Sequence, residues 1–308
     1  MEQISIFEYF NDPCGRIYKI TKPIRLIEAF GGIGSQAMAL RDLGADFETW
    51  KLFEYDKYPI DSYNAIHDTN YKPTDIRNVH GKDLEIANKE SFTYLLTYSF
   101  PCQDLSVSGL MKGMSKGSQT RSGLLWEIER ILSELPKEQL PDVLLMENVP
   151  NVHGAANMRD FQKWLDFLTS LGYSNHYKDL NAKDYGVAQS RSRCFCVSIL
   201  GEWNYKFPKP IKLNKTMKDY LEDKVDEKYY INTEKAKELI DKLILNGKIL
   251  TDRQTDRQTD RQTDRQAIEL SADTKPITES RAIMARQDRG ISQIGGQGSG
   301  VVEFKRLL

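Results

Sequence analysis

Cys102 lies in the run Ser99-Phe100-Pro101-Cys102-Gln103-Asp104-Leu105-Ser106, directly after an apolar stretch, Tyr94 to Phe100, of strand length. A thiol on a loop at the carboxyl end of a sheet strand stands where open α/β sheets gather their active sites, and its thiolate is a strong nucleophile. A lone cysteine is more often a small buried hydrophobe, so the reading depends on its surroundings. The turn Glu28-Ala29-Phe30-Gly31-Gly32-Ile33-Gly34-Ser35 is glycine-rich and opens a helix, the setting in which backbone approaches a nucleoside-bearing cofactor closely. Such turns also serve tight helix-strand packing, and Gly-Gly-Ile-Gly is not the full dinucleotide fingerprint. Glu54 stands 24 residues beyond Phe30 at the end of the next strand, the place of a carboxylate that accepts from ribose hydroxyls, with Tyr55 beside it. Asp75 and Ile76 are placed to receive an adenine, the carboxylate taking its exocyclic amine and the aliphatic chain covering a ring face. The plainer role for Asp75 is a turn or cap.

These groups need a scaffold, and the first half of the chain alternates short apolar runs with helical periodicity, the pattern of a mostly parallel sheet with helices on both faces. The spacing predicts strands at Ile24 to Phe30, Thr49 to Glu54, Tyr94 to Phe100 and Asp142 to Met146, the last suited to burial on both faces. Helices are expected over Ser35 to Leu43, over Leu124 to Leu135, and along the stripe Phe161, Trp164, Leu165, Leu168 and Leu171, which Gly172 would terminate. A strand pair then closes an α/β domain over residues 1–200.

Past Leu200 lysines recur at 206, 209, 212, 215 and 218 beside Pro208 and Pro210, which reads as an extended linker opening a partial second, smaller domain over 201–250. A helix is predicted with Thr233 as N-cap, Ala236, Leu239, Ile240, Leu243 and Ile244 as its apolar face, and Gly247 as its stop. Residues 251–266 are TDRQ four times over, a polar tract expected to be disordered. The codons ACA-GAC-AGA-CAG would encode TDRQ and consist of repeated ACAG, so slippage by one tetranucleotide shifts the frame. Phase-variable expression is therefore expected, with 267–308 either native sequence or a frame-altered tail. Mixed, non-repetitive codons across the tract would remove the idea.

The 308 residues carry a net charge of -1, so a phosphate-binding surface must be local. The four cysteines form no CxxC pair and the N-terminus lacks an apolar signal core, which point to a cytoplasmic protein without a disulfide framework. No apolar run approaches the roughly 20 residues of a membrane span. Histidines 67, 80, 153 and 176 are scattered, and Cys194 and Cys196 alternate with Phe195 and Val197 as in a strand, so no metal site is expected.

Taken together, Phe30-Gly31-Gly32-Ile33-Gly34, Phe53-Glu54-Tyr55-Asp56, Asp75-Ile76, Pro101-Cys102-Gln103, Glu147-Asn148-Val149 and Gln189-Ser190-Arg191-Ser192-Arg193 resemble, in order and spacing, the motif blocks of the cytosine-C5 DNA methyltransferases of bacterial or phage restriction-modification systems. The resemblance extends through most of residues 24–200. It implies an S-adenosylmethionine-dependent methyltransferase fold, with the methyl donor held by Phe30 to Gly34, Glu54, Tyr55, Asp75, Ile76 and Pro101. Cys102 would add to C6 of a cytosine flipped out of the duplex, making C5 nucleophilic. Negative charge then grows toward N3 and O2 of the ring, where a proton donor and a cation are needed. Glu147, after the apolar strand, is the expected donor, with burial raising its carboxyl pKa. Arg191 and Arg193 are expected on opposite faces of one strand, one organising the loop and Arg193, by resemblance, reaching the base. The segment Gly109 to Gly123 has the glycine of a hinge and the charge to meet phosphates, and reads as a closing lid. Gln103, Ser106, Lys112, Lys116, Arg121 and Gln189 are the expected DNA contacts.

Members of this family usually return from a target-recognition domain through a Gly-Asn-Ser-like motif, and no such segment occurs in residues 201–308. A second polypeptide supplying it is one expectation, and a cognate restriction endonuclease is another. The competing readings are an RNA cytosine-C5 methyltransferase and a truncated, non-catalytic DNA-binding subunit.

Overall fold

Apolar side chains on both faces of Ile24–Ala29 (β1), with Ile24 and Leu26 on one and Ile27 and Ala29 on the other, commit this strand to burial on both sides, and it lies inside the sheet between two neighbours. The computed structural model describes residues 20–105, 113–117 and 120–220, with the side chains of Met217 and Lys218 excepted. It also describes the backbone of the short strands Phe10–Asn11, Ile17–Tyr18, Arg265–Glu269, Ser280–Arg281 and Val301–Lys305, and Glu234, Glu238, Asp241, Lys242 and Leu245 as helical. Ser106, Gly109, Lys112, the apolar face, cap and stop of the predicted helix 233–247, residues 251–264, and 267–308 apart from those strands lie outside the described residues. Of the TDRQ tract only Arg265 and Gln266 are described, at the start of a strand.

From β1 the chain continues through α1 (Ser35–Asp42), β2 (Phe47–Phe53), α2 (Lys57–His67), β3 (Thr93–Tyr98), α3 (Leu125–Ser133), β4 (Val143–Asn148), α4 (Met158–Ser170), β5 (Tyr173–Asn181) and β6 (Ser192–Leu200). The sheet order is 2-1-3-4-6-5, with β2, β1, β3 and β4 parallel and β6 antiparallel to β4. Ile24 and Leu26 pack with Ala37 and Leu40 of α1, while Ile27 and Ala29 face the cluster filled by α3 and α4. Helices therefore cover both faces, as expected. The predicted strands and helices are present to within one or two residues at most ends, and Gly172 has φ 97° just past α4.

Helix α2 was absent from the sequence reading. Asp56 caps it by accepting from the Tyr58 amide at 3.0 Å, and Pro59 fits its first turn, a signature that could have marked it. A 3-10 turn, Arg121–Leu124, leads into α3, so that helix begins one residue later than its apolar stripe suggests. Among the described residues no helix is long and apolar enough to cross a membrane.

The chain divides into two units, Met1–Leu180 with Arg193–Lys209, and Asn181–Ser192 with Pro210–Leu308. In the second, Gln189–Ser190 pairs in parallel with Ser280–Arg281, and Arg265–Glu269 pairs antiparallel with Val301–Lys305. Lys206, Lys209, Lys212 and Lys215 are exposed.

Candidate active site

Four parallel strands end on one edge of the sheet, which puts the turn after β1, Glu54 after β2, the Cys102 loop after β3 and the end of β4 on that edge. The turn after β1 is left-handed at three positions, and at Gly34 there is no room for a side chain. Phe30, Gly32 and Gly34 all have positive φ, and a Cβ on Gly34 would overlap His67 and come within 2.6 Å of Tyr63. One oxygen of Glu54 accepts from the Gly32 amide at 3.1 Å and the other from the Asp56 amide at 3.0 Å. Tyr55 is 71% exposed. A Cβ on Gly32 would meet nothing within 4 Å, so the loop backbone faces open space beside that carboxylate. A donor that presents ribose hydroxyls and a charged amino acid tail fits such a cradle. Gly34→Ala is expected to cost about 1–3 kcal/mol through strain and overlap, read as a lowered thermal midpoint; an unchanged midpoint would contradict the described turn.

Beneath this turn lies Glu28, fully buried on β1 and unanticipated from sequence, accepting from the Tyr63 hydroxyl at 2.7 Å. Burial pushes its carboxyl up to about 7, against the opposing pull of the Tyr63 hydrogen bond. Its folded value therefore exceeds its ordinary one, so the neutral form stabilises the fold fully below about pH 4.5, and that stabilisation is lost as pH rises through about 7. Stability is expected to fall by about 3 kcal/mol across that window, and Glu28→Gln to flatten the curve in denaturant titrations at several pH values. A wild-type curve rising through that window would refute the assignment.

Asp75 and Ile76, the expected adenine contacts, have partners within the protein. Asp75 caps the turn Ile76–Asn78 by accepting from the Arg77 amide and is ion-paired with the Arg77 guanidinium at 2.5 Å, which holds its carboxyl below the usual range. Ile76 is 5% exposed in the main core, leaving only an edge for a ligand.

Three side chains that the sequence reading left without a role pin the Cys102 loop. Asn148 Nδ2 donates to the Phe100 carbonyl at 2.9 Å, Ser122 Oγ to the Pro101 carbonyl at 2.8 Å, and Asn151 Nδ2 to the Leu105 carbonyl at 2.6 Å. Asp104, itself buried, accepts from the amides of Arg121 at 2.9 Å and Ser122 at 3.4 Å. Cys102 itself has intermediate exposure. Gln103 accepts from Arg121 at 2.8 Å, and Lys116 is ion-paired with Glu129 at 2.7 Å, so these three expected DNA contacts already have partners within the protein.

Glu147 lies at the end of β4, opposite Phe195 of β6, and its carboxylate meets Arg193 Nε at 2.9 Å. The side chains are 24% and 19% accessible, so Glu147 stands in a half-open ion pair rather than in the enclosed apolar setting expected of it. Arg191 is placed differently from the expectation of one strand carrying both arginines. Residues two apart on one strand share a face, so the expectation of opposite faces was unsound, and no single strand carries both arginines. Arg191 falls between the strand Gln189–Ser190 and β6, where its amide donates to Asn181 Oδ1 at 3.0 Å and its carbonyl accepts from Ala182 at 3.0 Å. Gln189 belongs to that same second unit.

The family described as C-5 cytosine-specific DNA methylase matches residues 24–293. The type II methyltransferase M2.ScrFI of Lactococcus lactis subsp. cremoris is 35% identical, over 68% of this chain and 70% of that protein. The orphan methyltransferase M.SssI of Spiroplasma monobiae is also 35% identical, over 69% of this chain and 68% of that protein. Among solved structures, the S. pombe Dnmt2 methyltransferase superposes with a TM-score of 0.55 at 23% identity, covering 74% of this chain and 68% of that one, which speaks to the fold alone. With the six motif blocks in order and a family match spanning most of its length, the chain belongs to the C-5 cytosine-specific DNA methylases and is a DNA (cytosine-5-)-methyltransferase.

Proposed function

We propose that this chain methylates cytosine in duplex DNA through a transient bond between Cys102 Sγ and C6 of a flipped base, with S-adenosylmethionine as donor. The observation that supports it most directly is the adjacency of β3 and β4, which brings the Cys102 loop and the Glu147–Arg193 pair to neighbouring strand ends. Phe30 to Gly34, Glu54, Tyr55, Asp75, Ile76 and Pro101 would hold the donor, which supplies an electrophilic methyl group when bound. The Cys102 thiolate adds to C6 and pushes electron density to C5 and toward N3 and O2. Glu147 delivers or shares a proton at N3, while Arg193 balances its carboxylate and reaches O2. After C5 is methylated, its proton leaves to a base and the electron pair of that bond expels Cys102 and restores the aromatic ring. Gln103, Ser106, Lys112, Lys116, Arg121 and Gln189 would contact DNA, with Gln103, Lys116 and Arg121 exchanging their protein partners for the duplex. Arg191 would organise the loop that carries it.

A cognate restriction endonuclease, phase-variable expression and a second polypeptide carrying the Gly-Asn-Ser-like segment complete this reading; the naming of relatives as type II methyltransferases supports the first and the ACAG-compatible tract the second. The experiment is methyl transfer from labelled S-adenosylmethionine to duplex DNA with RNA as competitor, run with the chain alone and with the product of the adjoining gene. Label in DNA, located at cytosines by bisulfite sequencing, is expected. Label in RNA alone, or none in either form of the assay, would overturn the proposal.

A further inference from the structure

His153 stands alone in the sequence, but the fold delivers it to two other ligating groups. It ends the turn Pro150–His153 that follows β4, and its Nε2 lies 2.9 Å from the Asp179 carboxylate on β5. The thiol of Cys194, on β6 and fully buried, is within hydrogen-bond reach of the same carboxylate. The nitrogen, oxygen and sulfur atoms all lie within 4.8 Å of one another. A His–Asp ion pair accounts for two of these groups, and the buried thiol that reaches the same carboxylate adds a third donor of a different kind.

We propose that His153, Asp179 and Cys194 form a binding site for a divalent transition-metal cation of the zinc class, with solvent as the fourth ligand. An imidazole, a carboxylate and a thiolate are the donors that zinc takes, at bond lengths of about 2.0–2.3 Å that put neighbouring ligand atoms about 3.3–3.7 Å apart. The present spacings reach that geometry through shifts on the order of one ångström. Neutral imidazole with two anions balances the two charges of the ion, and the Cys194 thiol proton leaves to solvent on binding. The imidazole is already oriented, its ring centroid 6.0 Å from that of Phe161 and 5.4 Å from that of Tyr177. Side-chain exposures of 24% for His153 and 39% for Asp179 give the ion a way in. The spacing of the histidines hides this cluster because β5 and β6 are neighbours in the sheet and the turn after β4 reaches them.

The site bears on the catalytic edge without being part of it. Cys194 follows Arg193 on β6 and is paired in register with Asn148, the residue after Glu147. An ion there would tie β6, which carries Arg193, to β5 and to the turn after β4 that carries Asn151.

Cobalt(II) is the probe, added to chelator-stripped full-length chain in a Cys102→Ser background so that the nucleophile contributes nothing. One equivalent is expected to give a thiolate-to-cobalt charge-transfer band with the d–d pattern of a four-coordinate ion, and zinc should bleach it. Cys194→Ser should abolish the band, and His153→Gln and Asp179→Asn should weaken binding on the order of a hundredfold. Zinc should raise the thermal midpoint of the Cys102→Ser chain and not that of its Asp179→Asn variant. Should Cys194→Ser fail to fold, the isosteric Asp179→Asn at a half-exposed position decides. Absence of the band, its survival in Cys194→Ser, or an unmoved titration midpoint in Asp179→Asn would overturn the site.

Discussion

Cys102→Ser is expected to lower methyl transfer by roughly a thousandfold or more while leaving the fold intact. A hydroxyl is scarcely ionised at neutral pH and is a far weaker nucleophile than a thiolate, so C6 addition loses its attacking group. The loop around it is fixed by groups the substitution does not touch, namely the bonds from Asn148 to Phe100, Ser122 to Pro101 and Asn151 to Leu105. The check is single-turnover transfer from labelled donor together with denaturing gels on duplexes carrying 5-fluorocytosine. Wild type should form a gel-stable complex, and the variant none. A serine variant that keeps a tenth of the rate, or that is still trapped, would remove Cys102 from the mechanism.

Glu147→Gln is expected to lower the chemical step by about a hundredfold to ten-thousandfold, the usual loss when a positioned proton donor is removed. Glutamine keeps the size of the side chain and its carbonyl can still accept from Arg193 Nε, so the strand end should hold its shape. The loss should fall on the single-turnover rate, with DNA affinity in gel-shift titrations nearly unchanged. Loss of affinity with an intact rate would make Glu147 a scaffold for Arg193 instead. Arg193→Lys is the companion variant, since an ammonium lacks the planar fork that can meet a carboxylate and a ring oxygen at once.

The scaffold was legible because burial on both faces leaves an unmistakable trace. The Val143 to Met146 run could be little else than a central strand, and the stripes of α3 and α4 fixed which sides of those helices meet the core. Cys102 and the glycine turn were legible because their chemistry is tied to local sequence. What sequence left hidden depends on partners far along the chain. Nothing in the neighbourhood of Glu147 announces that Arg193, on an antiparallel strand, would sit against it, and nothing near Glu28 announces Tyr63. Asn148 was visible as part of a motif, yet its bond to Phe100 spans 48 residues of chain. The arginine assignment failed for a different reason: a strand was assumed to run unbroken through Arg191, and period-two geometry was applied with the wrong parity.

Asn148 immediately follows Glu147, and the carbonyl it grips belongs to Phe100, two residues ahead of Cys102. One amide thus serves as a crossbar between the two reactive strand tips. The bond joins the two tips at 2.9 Å, alongside the pairing of β3 with β4 and the bonds from Ser122 and Asn151 that hold the same loop. A chain built this way keeps its reactive groups in step before any base arrives, and Asn148→Ala should loosen the two from each other even where both remain chemically intact.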